Sequence, residues 1–387
     1  MRKLLIVGGL LIVCIFVCWA KESLTEKNID SDLQTVMKSY DAIGISVVVV
    51  KDNQICYKNT IGYNPDYNDT TRRVLISDNA VYWWASVSKT FISTAVMQLV
   101  ERKKVSLNDD VNKYLDFNVR NPRFPLTPIT IQMLLCHRSS LNDNKYSWGF
   151  DMLMPDKNKD WKNNYNQYEP GKGYDYCNLN YNLLAAIIEK ATNTRFDDYI
   201  GKNITEPLSI YGSFNKLRLD SSLFVKTYSY NQEKKIYEKY HFRRHYDSES
   251  LGEYVLGNST PTFSPAGGMR TTVEGLARWM MVHMNYGTYK NRQILSKESE
   301  LLMWEPKGPE SRYGFAFSHY DKVVKGENFV GMTGGSCGIH SAMFFNPEKK
   351  FGFVVICNGC TSKSANGAEM NYKIVRVLYK HLIEGKK

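Results

Sequence analysis

Strand-forming sequence stands near both ends of this 387-residue chain, and that placement limits the fold more than anything between. Residues 44–50 read Gly-Ile-Ser-Val-Val-Val-Val, a β-branched apolar run that predicts a strand. Lys51-Asp52-Asn53 then turns the chain into a second strand-like run around Ile55 to Ile61, which makes a hairpin. Toward the other end, Ile339 to Phe345 and Phe351 to Ile356 are again strand-like and are joined by the turn composition Asn346-Pro-Glu-Lys-Lys350. Between the hairpins the period changes. Phe91, Ile92, Ala95, Val96, Leu99 and Val100 recur at helical spacing, as do Leu183, Leu184, Ile187 and Ile188. A last helix fits Ala368 to Ile383. Strands at both ends with helices between predict an α+β fold: a mixed antiparallel sheet closed by both termini, flanked by helices, with a helical lobe inserted into it. Residues 142–175 and 215–262 are polar and aromatic with weak periodicity, and are expected to be long loops or insertions.

The first twenty residues stand outside that pattern. Arg2 and Lys3 precede an apolar stretch from Leu4 to Val17, and Cys18 and Ala20 place small side chains where a signal peptidase cuts. The segment reads as an export signal, 1–20, leaving one bilobal unit, 21–387: a sheet lobe of 24–85 with 265–387 and a helical lobe of 86–264. An uncleaved anchor and a lipid at Cys18 are the competing readings; the apolar run is short of the roughly 20 residues that span a bilayer, and bulky residues precede Cys18. No later segment is long and apolar enough to span a membrane. The expected location is periplasmic or extracellular.

The formal net charge of +11 does not imply nucleic acid, because Lys and Arg are spread along the chain instead of forming runs. Outside the signal, Cys56, Cys136, Cys177, Cys337, Cys357 and Cys360 are too few for a disulfide-built scaffold. Cys357 and Cys360 have redox spacing but close a strand instead of opening a helix, so a turn with two buried thiols or one local disulfide is expected. His241 and His245 lack a catalytic Glu between them, and no metal or cofactor is expected.

Ser86-Val-Ser-Lys89 puts a hydroxyl and an amine three residues apart at the start of a helix, on one face, at the nucleophile-and-base spacing of Ser-Lys hydrolases. A helix N-terminus favours developing negative charge at Ser86. Lys89 shares its face with Ile92, Val96 and Leu99, and burial there disfavours the ammonium. Ser213-Phe-Asn-Lys216 has the same spacing without the helical pattern after it. Tyr176-Cys-Asn178, a phenol and an amide before the helix of Leu183 to Ile188, can line a cleft, with Tyr176 ionising more readily beside a lysine ammonium. Tyr57-Lys-Asn59 and Tyr289-Lys-Asn291 match that spacing equally. Gly331-Met-Thr-Gly-Gly335 allows close backbone approach, and the Gly335 and Ser86 N–H groups can form an oxyanion hole. Gly334-Gly-Ser336-Cys-Gly338 also fits a nucleophile elbow, but a strand follows it where an elbow needs a helix.

Taken in order, Ser86-Val-Ser-Lys89, Tyr176-Cys-Asn178 and Met332-Thr-Gly334 resemble the three motifs of serine β-lactamases and penicillin-binding proteins, in the Tyr-x-Asn form of the class C β-lactamase branch with its D-alanyl peptidases and esterases. Trp84 to Phe91, Thr130 to Leu141, Pro265 to Thr272 and Asn346-Pro-Glu348 look like further family landmarks. The resemblance implies a serine hydrolase in which Ser86 attacks an acyl carbon, Lys89 and Tyr176 move protons, Asn178, Met332, Thr333 and Gly334 line the substrate site, and Ser86 and Gly335 hold the oxyanion. Its implied partner is a small-molecule or peptide acyl substrate, peptidoglycan fragments among the candidates. Members that bind a carboxylate carry Lys or His where this chain has Met332, and a thioether cannot pair with an anion; Arg270 and Arg312 are the substitute anchors considered. An inert binding protein on the same scaffold is the alternative, and, within enzymes, a true β-lactamase.

Overall fold

The computed structural model describes residues 27–64, 74–143, 149–239, 247, 251–309, 312–361 and 368–384. The signal reading of 1–20, Cys18, His241 and His245 lie outside the described residues. In chain order the elements are helix α1 (27–39), strands β1 (Gly44–Lys51), β2 (Gln54–Gly62) and β3 (Tyr82–Trp83), helices α2 (Lys89–Glu101), α3 (Ile131–Leu135), α4 (Asn178–Thr192) and α5 (Phe196–Ile200), and strands β4 (Gly212–Ser213), β5 (Tyr228–Asn231), β6 (Ile236–Lys239) and β7 (Arg270–Thr271). Helix α6 (Val273–Met284), strands β8 (Thr288–Tyr289) and β9 (Arg292–Gln293), helix α7 (Lys297–Trp304), strands β10 (Ser318–Tyr320), β11 (Phe329–Ser336), β12 (Ile339–Asn346) and β13 (Phe351–Cys357), and helix α8 (Ala368–Leu382) complete it.

Both expected hairpins form, and they join. The principal sheet runs β10-β11-β12-β13-β1-β2 with antiparallel neighbours. The hairpins meet in the pairing of Ile45 with Cys357 through Lys51 with Phe351, first strand against last. The Val47–Val50 run is continuous because both faces are covered. Ile45, Val47, Val49, Phe344, Phe353 and Val355 pack against Ile29 and Leu33 of α1 and Met370, Ile374 and Leu378 of α8. Val48, Val50, Met343, Phe345, Val354 and Ile356 enter the second core with Leu276, Trp279 and Met280 of α6. Each such side chain, once buried, contributes roughly 1.5–3 kcal/mol. Among the described residues, the two long weakly periodic stretches are largely turns and short 3₁₀ segments, with the β5–β6 hairpin in the second.

The fold positions its cleft through two details. Strand β3 pairs with β7 and delivers the chain into a 3₁₀ turn, Ala85–Ser88, that precedes α2 and packs on β11 and β12. Strand β10 covers only Phe329 to Gly331 of β11, so from Met332 to Ser336 that edge of β11 has no strand beside it among the described residues.

Candidate active site

Ser86 sits in the 3₁₀ turn, one step before the α-helix that the sequence spacing predicts it to open. The turn is fixed from several sides. Trp84 donates through its backbone N–H to Met269 O at 3.0 Å and through Nε1 to Thr271 O at 2.9 Å. Met269 N–H donates to Ser88 Oγ at 3.0 Å, and Ser341 Oγ donates to Trp84 O at 3.0 Å. Ala85 is held at φ +47°, a left-handed conformation that an L-residue adopts only under surrounding constraint.

Lys89 is fully buried. Its Nζ lies 3.2 Å from Ser86 Oγ, 2.8 Å from Asn178 Oδ1 and 2.7 Å from Ala266 O, and 4.9 Å from the Tyr176 ring centroid. Burial pushes the amine down from the ordinary lysine value to about 7, while Asp143 and Cys177 pull it partly back. A lysine that is half neutral near pH 7 can accept a proton there.

Tyr176 is brought to the same place, whereas Tyr57 stands on β2 bonding Asp30 and Tyr289 on β8. Burial pushes its hydroxyl well above the usual tyrosine value, an interaction with Ser86 offsetting part of the rise. Its own burial thus opposes the easier ionisation expected beside an ammonium, and keeps Tyr176 a phenol near pH 7. His137 braces it. The His137 and Tyr176 rings are 4.3 Å apart; His137 Nδ1 accepts from Cys177 N–H at 3.2 Å and faces Asn180 Nδ2 at 3.1 Å, and Nε2 is 3.3 Å from the Tyr313 hydroxyl. Burial, with Lys89 nearby, holds His137 well below the usual histidine value. It is neutral, with its proton on Nε2.

Helix α4 begins at Asn178 behind Cys177, a residue with no side-chain oxygen to cap it. Asp143 supplies the oxygens from the preceding loop. Its carboxylate accepts from Asn178 N–H at 2.8 Å, Leu179 N–H at 3.1 Å, Asn178 Nδ2 at 2.7 Å and the Cys177 thiol at 3.3 Å. Neither Asp143 nor His137 stands out in the sequence. The available signal for Asp143 is the uncapped start of α4; for His137 there is none beyond its place in Thr130 to Leu141.

On β11, Met332 is buried in the core that holds Trp84, and Thr333 reaches the hydroxyl of Tyr320, which burial pushes up to about 12. Gly334 fits only as glycine: a Cβ there would stand 2.6 Å from Trp84 O and 3.0 Å from Ser86 N. This brings β11 beside the Ser86 amide, with Gly335 next along the strand. Both substitute carboxylate anchors have partners of their own. Arg312 is an exposed residue paired with Asp321 at 2.6 Å, and Arg270 lies over the Phe224 ring and donates to Gly268 O at 3.2 Å. Ser213 stands on β4, its Oγ accepting from Asn215 N–H. Ser336 ends β11 at a turn into β12, which removes the elbow reading. Cys357 and Cys360 are buried thiols that interact with one another and form no disulfide. Among the described residues no cluster of three or more His, Cys, Asp or Glu could hold a metal, and no helix is long and apolar enough to cross a membrane.

The family model described as Beta-lactamase matches residues 29–376. The chain belongs to the β-lactamase family. Its fold is that of the serine β-lactamases and penicillin-binding proteins, a serine hydrolase superfamily, as the three motifs imply. Protein flp of Staphylococcus aureus (strain MRSA252) is 24% identical over 356 residues, covering 86% of this chain and 63% of that protein; the chain thus spans less than two thirds of that relative. Among solved structures, the D-amino acid amidase of Ochrobactrum anthropi SV3 superposes with a TM-score of 0.69 at 19% identity, over 92% of this chain and 99% of that one. EstCE1, described as a hydrolase with promiscuous acyltransferase activity, superposes with a TM-score of 0.67 at 16% identity, over 92% and 98%. These likenesses establish the fold; the chemistry rests on the site.

Proposed function

We propose that this β-lactamase family member is an exported serine hydrolase that forms an acyl-enzyme at Ser86 on an ester, amide or D-amino-acid peptide. The observation that carries the reading is the set of three neighbours around Lys89 Nζ. A neutral amine has two N–H donors and one lone pair. Ala266 O is a pure acceptor, and Asn178 presents its carbonyl oxygen. Those two take the two N–H groups, which leaves the lone pair for the one neighbour with a proton to give, the Ser86 hydroxyl.

The steps follow from that assignment. Ser86 Oγ–H gives its proton to Lys89 Nζ as Oγ attacks the acyl carbon. The oxyanion is held by the N–H groups of Ser86 and Gly335, in a site that the fold shapes before substrate arrives. The leaving group takes that one proton from Lys89, while the un-ionised Tyr176 hydroxyl keeps its own and offers a hydrogen bond. Water then attacks the ester at Ser86 by the reverse proton path and frees the acid. Asn178 and the strand edge at Thr333 position the substrate.

Substrate class follows from Met332, together with Arg270 and Arg312 engaged elsewhere. β-Lactams and D-Ala peptides present a carboxylate, which the Met332 thioether cannot pair with, so short acyl esters and amides are favoured. In support, the D-amino acid amidase is described in complex with L-phenylalanine amide, and EstCE1 as a hydrolase with promiscuous acyltransferase activity. Export rests on the Leu4 to Val17 run behind Arg2 and Lys3, which places peptidoglycan fragments within reach. The test compares the protein and Ser86→Ala on nitrocefin, a D-Ala-D-Ala peptide and short-chain aryl esters. Ser86-dependent turnover of esters well above nitrocefin is expected; efficient nitrocefin hydrolysis abolished by Ser86→Ala overturns the substrate assignment.

A further inference from the structure

The lone-pair assignment holds only while Asn178 turns its oxygen, and not its NH₂ group, toward Lys89. An asparagine side chain can be satisfied either way round, so something must choose. Lys89 does not: a neutral amine could accept from Nδ2 as readily as it donates to Oδ1. The choice is made on the far side of the amide. Asp143, an ionised carboxylate, can only accept, and its Oδ2 lies 2.7 Å from Asn178 Nδ2. The same carboxylate is itself held by the Asn178 and Leu179 N–H groups at the start of α4, so it cannot swing away without uncapping the helix.

We propose that Asp143 is a positioning residue for the proton transfer: it locks the amide sense of Asn178, which occupies both N–H groups of neutral Lys89 with acceptors and aims the lone pair at Ser86. The inference rests on the reading of Lys89 as the base. It extends that reading from the motif residues to a loop carboxylate 35 residues before Asn178. The titratable groups facing Lys89 are Asp143 and Cys177 at the α4 start, Tyr176 beside them, Tyr181 on α4, and His137 on the loop after α3. Of these Asp143 carries the negative charge, and His137 and the two phenols are neutral near pH 7. Asp143 therefore acts twice through one hydrogen-bond chain, by geometry on the lone pair and by charge on how readily Lys89 keeps a proton.

The test uses Asp143→Asn, which offers Asn178 an NH₂ and so invites the reversed amide, and Asp143→Ser, which keeps an oxygen to cap α4 but removes the charge. Two readouts are taken on the full chain. In protein labelled with [ε-¹³C]lysine, the Lys89 resonance, assigned by its loss in Lys89→Met, is titrated by NMR. Both variants are expected to lower its pKa by roughly one unit, as loss of a nearby opposite charge requires. On the best acyl substrate, kcat is expected to fall at least about tenfold with KM within about twofold, and Asp143→Asn combined with Asn178→Ala is expected to be no worse than Asn178→Ala alone. A Lys89 titration unmoved in both variants, or losses that add fully to Asn178→Ala, overturns the proposal and leaves Asp143 as a helix cap. If the wild type turns over no acyl substrate, the functional reading has failed, while the NMR titration still decides whether Asp143 governs Lys89.

Discussion

Lys89→Met keeps most of the buried side-chain volume and removes the amine, and its effect on stability has a pH signature that packing changes lack. In the native protein burial holds Lys89 at about 7, against 10.5 for a lysine in water. Between those values the unfolded chain binds a proton that the folded chain does not, so unfolding takes up a proton and native stability rises with pH. The gap amounts to a cost on the order of 5 kcal/mol near pH 7. Below pH 7 both states carry the proton and the dependence levels off. From pH 7 to pH 9 the wild type is expected to gain about 2 kcal/mol relative to Lys89→Met. Every other titrating group is common to both proteins and largely cancels in the difference. The absolute stabilities are harder to order, because the variant also leaves Ala266 O and Asn178 Oδ1 without a donor, at about 1–3 kcal/mol each. Urea unfolding followed by tryptophan fluorescence at pH 7, 8 and 9 measures the difference directly, with equal m-values as the check on a common denatured state. Parallel stability profiles across that range would falsify the claim that burial holds Lys89 well below the ordinary lysine value.

The same residue sets the acid side of the rate profile: below pH 7 the ammonium has no lone pair, so kcat/KM is expected to fall about tenfold per unit, roughly 30-fold by pH 5.5, and a profile flat to pH 5.5 removes Lys89 as base. Gly334→Val is expected to lose at least about 100-fold in kcat, because its Cβ would meet Trp84 O at 2.6 Å and Ser86 N at 3.0 Å; steady-state kinetics on a folded variant check it. Glu189 is a contrasting case, a buried carboxylate that accepts from Tyr254 at 2.6 Å, Thr260 at 2.6 Å, Gly257 N–H at 2.7 Å and Phe196 N–H at 3.1 Å. Glu189→Ala is expected to cost about 3 kcal/mol or more in urea unfolding while leaving the Ser86 labelling rate of the folded fraction unchanged.

Strands β1 and β13 were legible because they are continuous apolar runs, and the pairing of first with last followed from having strands at both ends. Lys89 was legible for a related reason: three and four residues along a helix share a face, so Ile92 and Val96 announce its burial. Tyr176 was not, since Tyr57 and Tyr289 carry the same spacing and only the tertiary path tells them apart. The resemblance to a known family made that choice; the residues did not. Asp143 and His137 lie further from reach. Their importance comes from contacts across the chain, Asp143 with Asn178 and His137 with Tyr176 and Tyr313, and no local period encodes such a contact. The protonation of the Tyr176 hydroxyl was not legible either, because it is set by the burial of Tyr176 itself, which no local pattern encodes.

The central claim is that Ser86 is a nucleophile activated by Lys89, and intact-protein mass spectrometry after exposure to a fluorophosphonate tests it most directly. One adduct per chain is expected, mapped by peptide fragmentation to Ser86, absent in Ser86→Ala, and formed faster at pH 8 than at pH 6 in step with the neutral fraction of Lys89. No adduct on the wild type, or an adduct that maps to Ser213 or Ser336, would contradict it.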